Sequence, residues 1–215
     1  MDDSRRRLRG FARRELLVIT AVSALLLVVV VPRLFRSHGL NPKTNCIHRL
    51  KQIGLAFNLW AEDHNGLFPM QCFTNEAGGM EIIGGTNTFI YFQLASNELR
   101  MASILACPAD TKRKYATNFS AGFDNSHISY FTGLNASRKN PASFLAGDRN
   151  LSTGTPPKDG LLALTASQSA AWTSEIHDGR GSIALADGSV VELKSKELKG
   201  ALAATQLGTN LVALP

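Results

Sequence analysis

The sequence predicts an α+β protein, with an apolar N-terminal helix of the membrane type followed by a helix packed on an antiparallel β-sheet. Three observations predict it. Residues 16–31, LLVITAVSALLLVVVV, carry no charge, and their only hydroxyls are Thr20 and Ser23. From Cys46 to Ala61 apolar residues recur at helical spacing. Beyond residue 125, runs of β-favouring residues alternate with turn signals, above all Asp187-Gly188.

A helix rises 1.5 Å per residue, so the apolar run covers most of a hydrocarbon core about 30 Å thick. It falls a little short of the roughly 20 residues that a full span wants. Arg13 and Arg14 before it and Arg33 after it can supply the missing length by snorkelling to the two interfaces. The competing reading is a helix buried in a soluble core, but no other segment is apolar enough to enclose it. The residues after the run, Val-Pro-Arg-Leu-Phe-Arg, offer no small-x-small pair, which argues against signal-peptidase cleavage. Ser4-Arg5-Arg6-Arg7-Leu8 matches a twin-arginine export signal only loosely. Basic residues cluster ahead of the run at Arg5, Arg6, Arg7 and Arg9, which favours a cytoplasmic N-terminus and an external body. Arg33 and Arg36 on the far side reduce that asymmetry.

Gly10-Phe11 and Glu15, set before and within the start of this helix, resemble the type III signal of type IV pilins and type II secretion pseudopilins. In that family a prepilin peptidase cuts after a glycine, the new first residue is often phenylalanine, and the fifth is glutamate. The resemblance implies cleavage after Gly10, methylation of Phe11 as the new N-terminus, and pairing of Glu15 with the amino terminus of a neighbouring subunit. A carboxylate in an apolar helix bundle is costly unless paired, so such a pairing fixes subunit register. The partners so implied are the membrane, homologous pilin-like subunits, the prepilin peptidase and the inner-membrane assembly machinery. Arg13 and Arg14 stand where the family has apolar residues. They leave open a plain uncleaved anchor whose cytoplasmic end they mark.

The chain has 215 residues and a net charge of +6, half of it ahead of the apolar run. The body is mildly basic and has no Lys/Arg block interleaved with aromatics, so a nucleic-acid surface is not indicated. The residues beyond the apolar run suffice for one ordinary domain. The expected organisation is a basic leader over 1–10, a transmembrane or assembly helix over 11–35, a kink or linker over 36–45, and a periplasmic head over 46–215. Pro32, Gly39 and Asn41-Pro42 motivate the kink.

The helix restarts with Asn41 as N-cap and Pro42 at the first helical position, where a missing N–H costs nothing. Cys46, Ile47, Leu50, Ile53, Gly54, Phe57, Trp60 and Ala61 form one stripe, with Lys51, Asn58 and Glu62 turned away. Asn65-Gly66 supplies a left-handed stop, with Pro69 just beyond.

A second and more specific resemblance begins here. The stretch Cys46-Ile47-His48-Arg49-Leu50-Lys51-Gln52-Ile53-Gly54-Leu55-Ala56, then Trp60-Ala61-Glu62-Asp63 and Asn65-Gly66-Leu67-Phe68-Pro69, resembles pilin-like proteins of Verrucomicrobia and Planctomycetes. So do Cys107-Pro108-Ala109-Asp110, Gly147-Asp148-Arg149-Asn150, and a histidine followed after nine residues by Asp-Gly, here His177 with Asp187-Gly188. The resemblance covers about residues 46 to 193 and implies a pilin-like head. Because Cys46 and Cys107 both stand in its motifs, it also implies a disulfide between them. Cys72 is then the odd thiol. Three reduced cysteines are the open alternative.

The remaining elements follow in order. Residues 70–83, rich in Gly, Asn and Gln, read as a surface loop, 88–100 as a short helix, and 104–107 as a strand or turn ended by Pro108. Residues 127–134 alternate and read as a strand, as do 143–146, whereas the Ser-, Thr-, Gly- and Pro-rich 151–170 reads as an exposed excursion. Residues 181–186 and 189–193 flank Asp187-Gly188 as a hairpin, with a type I′ turn expected. Ser195 is expected to cap a closing helix along Leu198, Ala201, Leu202 and Thr205.

Chemistry is sparse. His177, Asp178 and Asp187 suggest a metal site or an acid–base pair, against the plainer reading that Asp187 makes the turn and His177 bonds backbone. Some pseudopilins hold calcium in a C-terminal loop, which makes Asp148, Asp178 and Asp187 candidate calcium ligands. The EF-hand spacing is absent. Neither G-x-S-x-G nor a P-loop occurs, and the cysteines lie too far apart along the chain for a zinc motif. The favoured function is a non-enzymatic pilin-like subunit of the inner membrane, assembling through its N-terminal helix into a pseudopilus or pilus. The alternatives are an uncleaved anchored module that binds a polysaccharide or an exported partner, and an anchored hydrolase using His177 and Asp187.

Overall fold

A computed structural model describes residues 13–35, 42–82 and 87–215. Residues 1–12 with Gly10 and Phe11, residues 36–41 with Gly39 and Asn41, and residues 83–86 lie outside the described residues. The chain divides into two units, Met1–Leu40 and Asn41–Pro215.

The first unit contains helix α1, Arg13–Phe35. The helix includes Pro32 and runs to Phe35, and the kink or linker expected over 36–45 falls mostly outside the described residues. Its apolar side chains are uncovered all round: Leu16, Leu17, Val18, Ile19, Val22 and Leu25 to Val29 are between 49% and 71% exposed. Thr20 donates its hydroxyl to Leu17 O at 3.0 Å, inside the helix. Among the described residues, no helix is long and apolar enough to cross a membrane.

The second unit is α+β. Helix α2, Pro42–Asp63, begins at the proline for the reason given above. Its stripe Cys46, Leu50, Ile53, Phe57, Trp60 and Ala61 is at most 3% exposed. Asn65 takes the left-handed conformation (φ 55°), and Gly66 N–H reaches back to Ala61 O at 2.8 Å, a Schellman-type end. Two short helices follow, α3 (Thr88–Leu94) and α4 (Ser96–Leu99), where the sequence suggested one.

Eight strands come next: β1 Tyr130–Gly133, β2 Phe144–Asp148, β3 Leu151–Ser152, β4 Leu161–Leu164, β5 Ala171–Trp172, β6 Arg180–Leu185, β7 Val190–Lys194 and β8 Asn210–Ala213. Six form one antiparallel sheet in the order β4-β8-β1-β2-β6-β7, and β3 pairs with β5 in a separate ribbon. Helix α5, Ser195–Ala204, lies between β7 and β8 in sequence.

Both faces of the sheet are covered. Tyr130, Leu145, Ala146 and Ala184 face the α2 core, whereas Phe131, Phe144 and Ile183 join Leu198 and Leu202 of α5 in a second core. The register shift between Phe144 and Ala146 is what lets Leu145 and Ala146, adjacent in sequence, reach the same core. Each buried Leu, Ile or Phe removes enough apolar area to contribute about 1.5–3 kcal/mol.

Four local expectations are corrected. The 151–170 segment is not a simple excursion, because it supplies β3 and the edge strand β4, whose Leu162 and Leu164 are buried beside β8. The β6–β7 turn is not type I′, since Asp187 is absent from the left-handed residues and only Gly188 has positive φ (84°). Gly188 N–H bonds Leu185 O at 2.9 Å and Leu185 N–H bonds Ser189 O at 2.8 Å, the three-residue hairpin with a glycine bulge. Ser195 does not cap α5. Its hydroxyl accepts from Trp172 N–H at 3.0 Å, and Glu197 accepts from Lys194 N–H at 2.8 Å instead. Asn58 does not turn away from the sheet either, since its amide donates to Ala186 O at 3.3 Å on the hairpin.

Candidate functional site

The motif residues converge on the first turns of α2. Cys46 there is joined by a disulfide to Cys107, with Cα atoms 5.5 Å apart across a sequence separation of 61. Both are nearly unexposed, at 0% and 2%. Cys107 is delivered by a 3₁₀ turn over Ala102–Leu105, and its N–H donates to Ser129 Oγ at 2.8 Å. Arg49, one turn beyond Cys46, donates to Ser103 O at 3.0 Å and to Ala106 O, and its guanidinium sits 5.3 Å from the Tyr115 ring centroid. Helix and loop are therefore tied both covalently and by a charged donor on backbone carbonyls.

Asp110 and Arg149 form the second layer. Arg149 donates from Nε to Asp110 Oδ2 at 2.7 Å and from Nη2 to Oδ1 at 2.8 Å, a two-pronged pair in which both side chains are at most 10% exposed. Nη2 also reaches Glu175 at 2.6 Å, which Lys112 approaches from the surface at 2.9 Å. Burial opposes the charge on Asp110. The Arg149 hydrogen bonds and charge, helped by Ser129 and the Lys112 N–H, overcome it and hold the carboxyl below its ordinary pKa.

His177 and Asp148 form the third layer. Asn150, next to β2, donates to Thr173 O at 2.9 Å, Ile176 O at 2.8 Å and Arg180 O at 3.1 Å, and so holds the loop that carries His177. That loop is left-handed over three consecutive residues, His177 (φ 57°), Asp178 (φ 50°) and Gly179 (φ 74°), and Arg180 N–H closes it on His177 O at 3.2 Å. Non-glycine residues pay for such backbone, so something must hold the imidazole where it is. Its Nε2 lies 3.4 Å from Cys107 Sγ and 3.9 Å from Asp148 Oδ2, and its side chain is 4% exposed.

Asp148 is fully buried at the end of β2. Its Oδ2 accepts from Ser182 N–H at 2.7 Å, and its Oδ1 has no hydrogen-bond partner among the described residues. Burial, with the charges of Asp110 and Glu192, pushes its pKa up to about 7, against the opposing Ser182 bond. The Tyr130 hydroxyl is likewise buried without a hydrogen-bond partner, and burial first, then the Asp148 charge, pushes its pKa well above the usual phenol value.

The sequence-derived candidates separate into two groups. Cys46, Cys107 and His177 meet: their ligand atoms all lie within 4.8 Å of one another, although the spacing along the chain suggested no such site. His177 and Asp187 do not meet. They lie beyond opposite ends of β6, with Asp187 exposed in the β6–β7 turn and accepting from Ser189 N–H at 2.8 Å. The acid–base pair imagined for a hydrolase is not assembled, because an extended strand separates its members. The calcium set fails for a similar reason: Asp148 is sealed inside, Asp178 and Asp187 are exposed in different turns, and the three form no cluster among the described residues.

The nine-residue spacing has a structural meaning. It spans β6, so that the leading turn places His177 beside the cysteines while the trailing turn places Gly188 near Gly54 and Asn58 of α2. A Cβ on Gly54 would stand 3.6 Å from Ala184 Cβ and 3.8 Å from Gly188 Cα, so the helix approaches the hairpin closely there. Glu15 is exposed in the first turn of α1. Cys72 is the free and buried cysteine, its thiol pushed up by burial and by the Glu76 charge. Tyr130, Ser129, Glu175 and Ser182 were not singled out in the sequence, since no local spacing marks them. Asp110, Arg149 and Asn150 stood inside the quoted motifs without an assigned role.

Comparison of the chain with protein-family models, curated proteins and solved structures finds no match. What the fold itself defines is an α+β head with an antiparallel sheet covered on both faces and a disulfide-centred polar cluster at one edge of α2.

Proposed function

We propose that the chain is a non-enzymatic pilin-like subunit of the inner membrane, with its head in the periplasm, that assembles through α1 into a pseudopilus or pilus-like fibre. The observation that carries this reading is the exposure of α1: ten large apolar side chains from Leu16 to Val29 lie 49% or more uncovered. Burying them in lipid or against neighbouring copies would recover about 1.5–3 kcal/mol for each fully covered side chain. Thr20, bonded within its own helix, adds no unmet donor to that surface. The prepilin-type Gly10-Phe11 with Glu15 supports processing, and a disulfide in the head suits an oxidising compartment. The cluster around His177 serves this function as a clamp that keeps α2 and the sheet rigid.

Crosslinking tests the assembly. A chain carrying both Leu17→Cys and Leu27→Cys, with Cys72→Ser as background, is oxidised in membranes that contain the assembly machinery. A ladder of crosslinked copies that Glu15→Leu abolishes is expected. Monomer alone, with or without Glu15, points instead to the uncleaved anchored module.

A further inference from the structure

We infer that Cys46, Cys107 and His177, with Asp148 as fourth ligand, form a zinc site in the reduced head. The disulfide and the ion are then alternative occupants of one pocket. Tetrahedral Zn²⁺ bonds sulfur at about 2.3 Å and imidazole nitrogen at about 2.0 Å, which sets those two ligand atoms roughly 3.5 Å apart. Cys107 Sγ and His177 Nε2 already lie 3.4 Å apart. Cys46 Sγ completes a group within 4.8 Å. Asp148, fully buried, approaches Nε2 at 3.9 Å with Oδ2, which also accepts from Ser182 N–H, while its Oδ1 has no hydrogen-bond partner among the described residues. A buried acceptor left unpaired is expensive, and a cation bound beside this carboxyl would offset that cost.

Two thiolates, one imidazole and one carboxylate are a donor set suited to Zn²⁺, and four protein ligands with almost no solvent access describe a structural rather than a catalytic site. Asn150, on three backbone carbonyls, fixes the loop that presents the imidazole, as outer-shell groups do around metal ligands. A dithiol reductant passes two electrons and its two protons to the S–S bond, which breaks to two thiols as the reductant becomes a disulfide. With a phosphine, water supplies both thiol protons and the oxygen of the phosphine oxide. Both thiols then lose their protons to solvent as Zn²⁺ binds. A disulfide-bearing oxidant reverses the sequence: the two cysteine sulfurs join, the oxidant takes the two electrons with two protons from solvent to become a dithiol, and the ion is expelled.

The test uses the full chain in detergent, reduced with a phosphine, freed of metal and titrated with Co²⁺ as a spectroscopic substitute for Zn²⁺. One equivalent is expected to give the visible bands of a tetrahedral site and a thiolate-to-cobalt charge-transfer band, both erased by Zn²⁺. The Cys72→Ser chain should behave the same, and the oxidised chain should give neither band. His177→Asn, which tolerates the left-handed backbone, should weaken binding at least tenfold, and Asp148→Asn should alter the visible bands. Zn²⁺ should raise the melting temperature of the reduced chain and leave that of the oxidised chain unchanged. Absence of tetrahedral cobalt in the reduced chain, or equal affinity in His177→Asn, overturns the site.

Discussion

Asp148 concentrates the electrostatic cost of the head. A carboxyl with no exposure and a single backbone donor holds its proton far more tightly when folded than unfolded, and its pKa rises from 3.8 to about 7. The sign follows from linkage. The stabilisation this group contributes by binding a proton is fully present below the unfolded value and is lost as pH rises through about 7. The full difference amounts to roughly 4 kcal/mol at about 1.4 kcal/mol per unit. Asp110 and Glu175, whose pKa values are depressed, act in the opposite sense and only at lower pH, where their carboxylates protonate. Urea unfolding of the Asp148→Asn chain between pH 4.5 and 8 should therefore show a flatter pH profile than wild type, with its relative stability improving as pH rises. A wild-type profile that is equally flat would contradict the buried assignment.

At the scale of elements, the disulfide is the strongest tie between α2 and the loop before β1. Chain entropy for a separation of 61 residues gives about 4 kcal/mol of stabilisation. Cys46→Ala with Cys107→Ala, measured by denaturant unfolding with chelator present, should lose an amount of that order, whereas Cys72→Ser should lose much less. Helix α2 was legible in the sequence because its buried positions recur every three to four residues and Pro42 and Asn65-Gly66 mark its ends. Strand β4 was not, because Leu161–Leu164 is a short run inside polar, Gly- and Pro-rich flanks, and only pairing with β8 makes it a strand. Asn58 and Ser195 misled for one reason: each polar side chain bonds a distant backbone group that no local period reveals. The cluster was legible only as separate motifs. Its members come from α2, the Cys107 loop, β2 and the turn before β6, so their meeting is a property of topology.

At the scale of the whole molecule, the chain comprises two units, an α+β head with two cores and a helix whose apolar side chains are exposed. The longest run of exposed large apolar side chains among the described residues belongs to α1, and the proposed assembly rests on it. The intact mass of the chain extracted from membranes measures its most direct consequence. A mature protein that begins at Phe11 is expected, shortened by the leader through Gly10 and heavier by one methyl group on its amine. A membrane-extracted chain that retains residues 1–10 would contradict it.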